Sequence, residues 1–183
     1  MLSLNNSNLY FTNSKLVRLS LLISLGLILF LFESSIPRPL PWLKPGLAHI
    51  ATLIAIFMMG ISEAMIVVVT RVLVGSLLLG SLFNPAFVLS LGGGITATLA
   101  MGLIHCYFSQ TFSIFGISIL GAVVHNLTQL ILVELLIVRR IEIFYLAPLM
   151  ILSSLFTGFI VALVSYLLLS KVQSLLESRS GGY

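Results

Sequence analysis

The sequence contains no aspartate among its 183 residues, and its five acidic residues are dispersed glutamates. Carboxylate clusters are the usual protein ligands of magnesium and calcium. A chain without aspartate and without paired glutamates therefore offers no such cluster. Chemistry that depends on carboxylate-held metal ions is excluded for this chain acting alone.

Cysteine is almost absent as well, because Cys106 is the only one. One cysteine allows neither an intrachain disulfide nor a multi-cysteine metal site. The glycines at 92–94 do not form a phosphate loop, since no strand precedes them and no Gly-Lys-Ser/Thr follows. We therefore expect no cofactor and no metal ion, and no nucleotide bound by the chain itself.

Charge is scarce throughout the chain: 8% of residues are charged and 59% are hydrophobic. Soluble domains carry about 25% charged residues. The mean hydropathy of +1.20 instead describes an integral membrane protein with little mass outside the bilayer. The net charge of +4 comes from scattered lysines and arginines. No basic cluster follows a phosphate backbone, which excludes nucleic acid and leaves the lipid bilayer as the partner.

Six apolar segments account for most of the chain. They cover residues 16–32, 47–61, 64–82, 86–108, 112–138 and 144–170. Only helices and closed barrels span a bilayer, and these segments lack the alternation of barrel strands. The sequence therefore predicts an all-α integral membrane protein, a bundle of about six transmembrane helices over residues 15–170. Polar tails at 1–14 and 171–183 flank the bundle.

The connection after the first segment, "ESSIPRPLPWLKPGLAH", holds four of the six prolines. Proline fixes its own φ angle and disfavours helix in the residue before it, so this connection is predicted to be stiff and extended. Trp42 and Lys44 suit the membrane interface. One interpretation is a rigid connector with an aromatic anchor. The other is a lid over a pocket, because a stiff lid loses little entropy when it closes.

The fifth apolar segment carries polar residues in its middle. His125 and Gln129 recur at helical spacing and share one face, and Asn126 flanks that face. Ionisable groups inside a membrane usually mark a substrate site. They also join helices by hydrogen bonds, and that alternative stays open. His49 and His105 lie near the ends of predicted spans, where a structural role is favoured over ligation.

The third apolar segment supplies charged partners for this face. Glu63 and Arg71 are separated by just over two helical turns, so both project to similar sides. An arginine in a span needs a carboxylate or an anionic ligand. We predict a substrate site formed by Glu63, Arg71, His125, Asn126 and Gln129, with Trp42 and Lys44 at its entrance. Alternatively, Arg71 forms an ion pair with Glu63 or Glu134.

Small residues mark one face of the fourth segment, where Gly94, Thr98 and Gly102 lie four positions apart. Such a ridge lets neighbouring helices approach closely. We predict a packing role for it.

Three stretches of the sequence resemble a known family. "PRPLPWLKPGLAHI", "RVLVGSLLLGSLFNPAFVLSLGGG" and "FGISILGAVVHNLTQL" are similar to the Gx transporter family, whose members are often labelled heptaprenyl diphosphate synthase component I. The resemblance covers about residues 15–171. This family in turn looks like the S components of energy-coupling factor (ECF) transporters, which are bundles of six helices.

The resemblance implies a function and a set of partners. S components capture vitamins or related small compounds, and they associate with a coupling membrane protein and two ATPase subunits. A chain of this kind would lie in the cell membrane with both termini cytoplasmic, which its evenly divided basic residues do not decide. The first helix of an S component docks on the coupling protein through small residues. Ser20 and Ser24 are the comparable pair here.

The synthase label implies a different activity. Elongation of prenyl diphosphates needs aspartate-rich motifs that hold magnesium against the diphosphate, and this chain has no aspartate. We therefore predict that it is not an enzyme. An alternative to the transport subunit is a non-catalytic membrane partner or anchor for prenyl-lipid, quinone or flavin-linked electron-transfer machinery.

Overall fold

The computed structural model describes the backbone of residues 6–36 and 46–180, and the side chains of residues 13–36 and 46–175. Its helices are α1 (Asn6–Ser35), α2 (His49–Met59), α3 (Ile61–Leu78), α4 (Pro85–Phe108), α5 (Ile114–Val133) and α6 (Ala147–Ser180). Within these residues there is no strand, and five helical stretches are long and apolar enough to cross a membrane. The predicted all-α bundle of about six helices is confirmed.

The helices at both ends of the chain continue beyond the apolar segments. α1 begins at Asn6, inside the polar stretch 1–14, and α6 runs on to Ser180. No glycine precedes Gly26, and neither glycine nor proline occurs between Gly158 and Ser180. Polar residues lower the hydropathy of a segment but interrupt a helix far less than these two residue types do. The described parts of the two predicted tails, residues 6–14 and 171–180, are therefore helical.

α2 is an internal helix of about half the usual length. Its 11 residues extend for about 16 Å, whereas the hydrocarbon core of a bilayer is about 30 Å thick. The residues from His49 to Ile56 are all buried, so every side of the helix faces protein. α2 packs against α1, α3, α4 and α6. It is the centre of the bundle rather than a full second span.

A glycine joint folds α2 back along α3. Gly60 has φ 105° and ψ −177°, a conformation that is open essentially to glycine alone. α3 starts at the next residue. A methyl group at Gly26 of α1 would lie 3.2 Å from Cδ of Arg71 and 3.3 Å from Cβ of Ala51. The start of α2 therefore lies level with the middle of α3.

Contacts at one end of the bundle establish the direction of each helix. An ion pair joins Lys15, in the first half of α1, to Glu63 near the start of α3. The rings of Phe57 and His105, 4.3 Å apart, join the ends of α2 and α4. We call this the first end. Because the helices alternate in direction, α1 starts and α6 finishes at the first end, so the described chain begins and ends on the same side.

The triple glycine of α4 allows close packing on two sides. A methyl at Gly94 would lie 2.9 Å from Val68 of α3. A methyl at Gly102 would overlap the side chain of Ile61, which is also on α3. The predicted packing ridge is therefore confirmed, and it faces α3. Gly92 and Gly93 instead face α5, where they leave room for Leu132 and His125.

Candidate functional site

The first turn of α2 brings two histidines together in the middle of the bundle. His49 is 7% exposed, and its ring meets the ring of His125 edge-on, with centroids 4.5 Å apart. The prediction that His49 lies at a span end near interfacial water is wrong, because α2 begins inside the bundle. His105 lies in the last turn of α4, at the first end of the bundle, so its predicted place near the end of a span is confirmed.

Glu33 caps the N-terminus of α2 from the neighbouring helix α1. Its Oε1 accepts a hydrogen bond from the backbone N–H of Ala48 at 3.2 Å. The first N–H groups of a helix lack intrahelical acceptors and carry partial positive charge, so a carboxylate is well placed there. Glu33 is only 2% exposed. The sequence assigned it to the connecting loop, but α1 continues through it. Glu33 follows Gly26 and Phe30, which are both buried, at helical spacing. This spacing could have indicated that the buried face of α1 continues to Glu33.

Arg71 lies beside Glu33 and the histidine pair. It is 2% exposed and, with Glu33, His49 and His125, lines a cavity of about 10 Å³. Glu33 lines the same cavity, so its negative charge lies close to Arg71. Among the described residues, Glu63 pairs with Lys15, and no ion pair joins Arg71 to Glu63 or Glu134. The prediction that Arg71 pairs with Glu63 or Glu134 is therefore wrong.

Glu63 lies away from this centre. It faces α1, as Arg71 also does, so the predicted common side is confirmed. However, Glu63 pairs with Lys15 at the first end, about two turns from Arg71. Lys15 is exposed and Glu63 is half-buried, and a pair at the surface contributes little to stability, about 0–1 kcal/mol.

A second cavity of about 10 Å³ lies on the other side of the histidine pair. Met101, Ser118 and Thr157 line it, together with both histidines. Each cavity has room for about one water molecule. The Ser118 hydroxyl donates to the carbonyl of Gly158 at 2.7 Å, so it serves the contact between α5 and α6.

The two amides of α5 have different surroundings. Asn126 Nδ2 donates to Oγ of Ser154 at 2.8 Å and to the carbonyl of Met150 at 3.3 Å, so it joins α5 to α6. Gln129 is 0% exposed, and neither its Oε1 nor its Nε2 has a hydrogen-bond partner among the described residues. Gln129 and His125 both pack on Gly93. Asn126 therefore fits the helix-joining alternative, whereas Gln129 does not.

Four side chains around the first turn of α2 carry polar atoms with no partner among the described residues. These atoms are His49 Nε2, Thr52 Oγ1, Arg71 Nε and both amide atoms of Gln129. Buried polar groups in proteins are nearly always hydrogen-bonded. We call these four side chains the polar centre. It has donors and acceptors available for a small polar guest.

The structure therefore divides the residues predicted from the sequence. Arg71, His125 and Gln129 belong to or border the polar centre, whereas Asn126 and Glu63 do not. Trp42 and Lys44 lie outside the described residues. Sequence reasoning missed Glu33 and Thr52 and placed His49 at the wrong depth. Among the described residues, no group of three His, Cys, Asp or Glu side chains could hold a metal ion.

Ser20 and Ser24, the predicted docking pair, are exposed on α1. They share their face with Val17, Leu21 and Ile28, which are exposed as well. Among the described residues, α1 packs closely on α2 and α3, and this face is turned away from both.

Apolar helices of spanning length around a buried polar centre define a multi-pass membrane protein. The family model described as Heptaprenyl diphosphate synthase component I matches residues 22–168. The chain belongs to this family, as its resemblance predicted. A search of curated proteins and a search of solved structures both gave no significant match.

Proposed function

We propose that the chain is the membrane-embedded substrate-binding subunit of a transporter, similar to an S component. Its substrate is a small vitamin-like compound, anionic or amphipathic, and a separate ATPase module supplies the energy. The observation that carries this proposal is the polar centre, with its unused donors and acceptors at the heart of an apolar bundle.

The energetic cost of the polar centre favours a binding role. A buried polar group without a partner costs about 1–3 kcal/mol. Helix packing alone does not require this cost, since apolar side chains of similar size would fill the same space. A hydrogen-bonding guest offsets the cost when it binds. Ligand sites are typically apolar with a few convergent polar groups, which is the composition found here.

The transport proposal also assigns roles outside the polar centre. The exposed α1 face with Ser20 and Ser24 is the surface proposed to dock on a coupling protein, which in turn carries two ATPase subunits. Both termini are proposed to be cytoplasmic, in keeping with a described chain that begins and ends at the first end. The chain itself is proposed to be non-enzymatic, because it has no aspartate and no phosphate loop.

Gentle purification from the native membrane, followed by native mass spectrometry, tests the proposal. We expect a bound small molecule and copurified ATPase subunits. Thr52→Val should lose the small molecule without losing stability, because the Thr52 hydroxyl has no partner among the described residues.

The matched control is Thr98→Val, an equally buried threonine on α4. Its hydroxyl donates to the carbonyl of Gly94 at 2.7 Å, and it should retain the ligand. Loss of the ligand from both variants, or from neither, would count against a binding role for the polar centre.

The description of the family favours a second candidate function. Its wording names a component of a synthase, which fits a non-catalytic membrane partner or anchor for prenyl-lipid, quinone or flavin-linked electron-transfer machinery. The same purification separates the two candidates. Copurified synthase or redox proteins, without ATPase subunits, would favour the anchor.

A further inference from the structure

The carboxylate of Glu33 lies beside groups from two other helices. The start of α2 donates the Ala48 N–H to Oε1. α3 contributes Arg71, whose charge interacts with the same carboxylate. The cavity of about 10 Å³ adjoins both Glu33 and Arg71. We call the Ala48 N–H and Arg71 the carboxylate cradle.

The cradle is richer in donors than Glu33 requires. Arg71 lines this cavity, its side chain is more than nine-tenths buried, and its Nε–H has no hydrogen-bond acceptor among the described residues. His49 Nδ1 lies 3.2 Å from the carbonyl oxygen of Gly46, which can only accept, so Nε2 of the neutral His49 ring is an acceptor and adds no donor for a carboxylate. A helix start next to an arginine is also a favourable place for an anion in general. The arrangement therefore fits a carboxylate from a ligand as well as it fits the carboxylate of Glu33.

The members of this arrangement differ in their positions along their helices. Arg71 lies in the middle of α3, so its charged group stays inside the bundle. α2 is buried over its whole first two turns. Glu33, in contrast, lies in the last turn of α1, which ends at Ser35. A carboxylate in the last turn of a spanning helix is nearer to the aqueous boundary than one in the middle, and water stabilises its charge.

We infer that the cradle is a carboxylate-binding site, in which a ligand's carboxylate replaces that of Glu33. Glu33 neutralises Arg71 while no ligand is bound, and the ligand takes over this task when it binds. The inference rests on the proposed binding function and adds the chemical class of the substrate, which carries a carboxylate. The charge balance around Arg71 is the same before and after the exchange.

Chemical rescue tests the inference without knowledge of the natural ligand. In Glu33→Ala, the Arg71 charge is left without its carboxylate, and the midpoint of thermal unfolding should fall. Sodium formate should then raise this midpoint in a saturable way and recover at least half of the loss. Sodium chloride serves as the ionic-strength control, since its anion lacks the two oxygens of a carboxylate. Formamide serves as the uncharged control of the same shape.

Three further chains complete the experiment. In the wild-type chain Glu33 competes with formate, so apparent formate binding should be at least about tenfold weaker than in Glu33→Ala. Glu63→Ala removes a carboxylate from the pair with Lys15 and should show no formate effect. Glu33→Gln keeps the shape of the side chain and, if Glu33→Ala does not fold, is the variant in which formate stabilisation is measured.

The outcomes separate clearly. Formate-specific stabilisation in either Glu33 variant, weaker in the wild-type chain, supports the inference. An absent formate effect, an equal effect in the wild-type chain, or an equal effect of formamide overturns it. Failure of the proposed transport function would instead appear as absent ligand and ATPase subunits in native mass spectrometry, and it would leave the formate result unchanged.

Discussion

Asn126 and Gln129 are both buried amides of α5 and lie one helical turn apart. Their surroundings predict opposite responses to the loss of the amide. Asn126→Leu removes two hydrogen bonds to α6. Gln129→Met removes an amide that no described residue contacts by a hydrogen bond, and methionine keeps a similar unbranched shape.

The magnitudes follow from the hydrogen bonds. A hydrogen bond between membrane helices contributes about 0.6 kcal/mol on average, and up to about 1.7 kcal/mol. Ser154 keeps a partner after the change, since its hydroxyl also donates to the carbonyl of Met150 at 2.6 Å. Asn126→Leu should therefore lower the free energy of unfolding by about 1 kcal/mol. Gln129→Met should raise it by about 1–2 kcal/mol, because an unpaired buried polar group costs about 1–3 kcal/mol.

The assay is unfolding of the ligand-free chain in detergent micelles, by heat or by a denaturing detergent. Ligand retention in gentle purification should show the reverse order, with Gln129→Met losing the small molecule and Asn126→Leu keeping it. If Gln129→Met lowers the free energy of unfolding as much as Asn126→Leu does, then Gln129 joins helices, and its place in the polar centre is refuted.

Three further predictions concern packing, activity and topology. Gly93→Ala places a methyl group 2.8 Å from Nδ1 of His125 and should lower the free energy of unfolding by about 1–3 kcal/mol. Gly92→Ala meets only the flexible tip of Leu132 and should lower it less; equal thermal shifts would contradict this difference. The purified chain should neither hydrolyse ATP nor elongate isoprenoid diphosphates, and magnesium-dependent product above a heat-killed control would show otherwise. Reporter fusions at Ser14 and Ser180 should report the same side of the membrane and a fusion at Arg140 the opposite side; any other pattern contradicts the alternating helix directions.

Hydropathy predicted the long helices well. The fourth segment, predicted over 86–108, corresponds to α4 at Pro85–Phe108. The fifth, predicted over 112–138, corresponds to α5 with a wider π-helical turn at Glu134–Val138. In lipid, apolar side chains are favoured, and every backbone N–H and C=O must find its hydrogen-bond partner within the segment. Both requirements favour a helix. Local sequence therefore determines these elements.

The residues that surround the polar centre could not be predicted in the same way. Glu33 ends the apolar run of α1, but its partners are Ala48 and Arg71, which lie 15 and 38 positions further along the chain. The pairing depends on how α2 folds back, and no local pattern carries that information. Spacing did place His125 and Gln129 on one face, but Asn126, one position from His125, is rotated by about 100° and faces α6 instead.

The half-length of α2 has a consequence for biogenesis. Insertion into a bilayer as an independent helix requires about 20 apolar residues, and α2 has 11. Its N-terminal half also carries His49 and Thr52, which further disfavour contact with lipid. The Gly60 joint connects α2 directly to the full-length α3, so the two helices enter the membrane as one hairpin. During synthesis, α2 must therefore wait at the membrane surface or inside the translocation machinery until α3 has emerged.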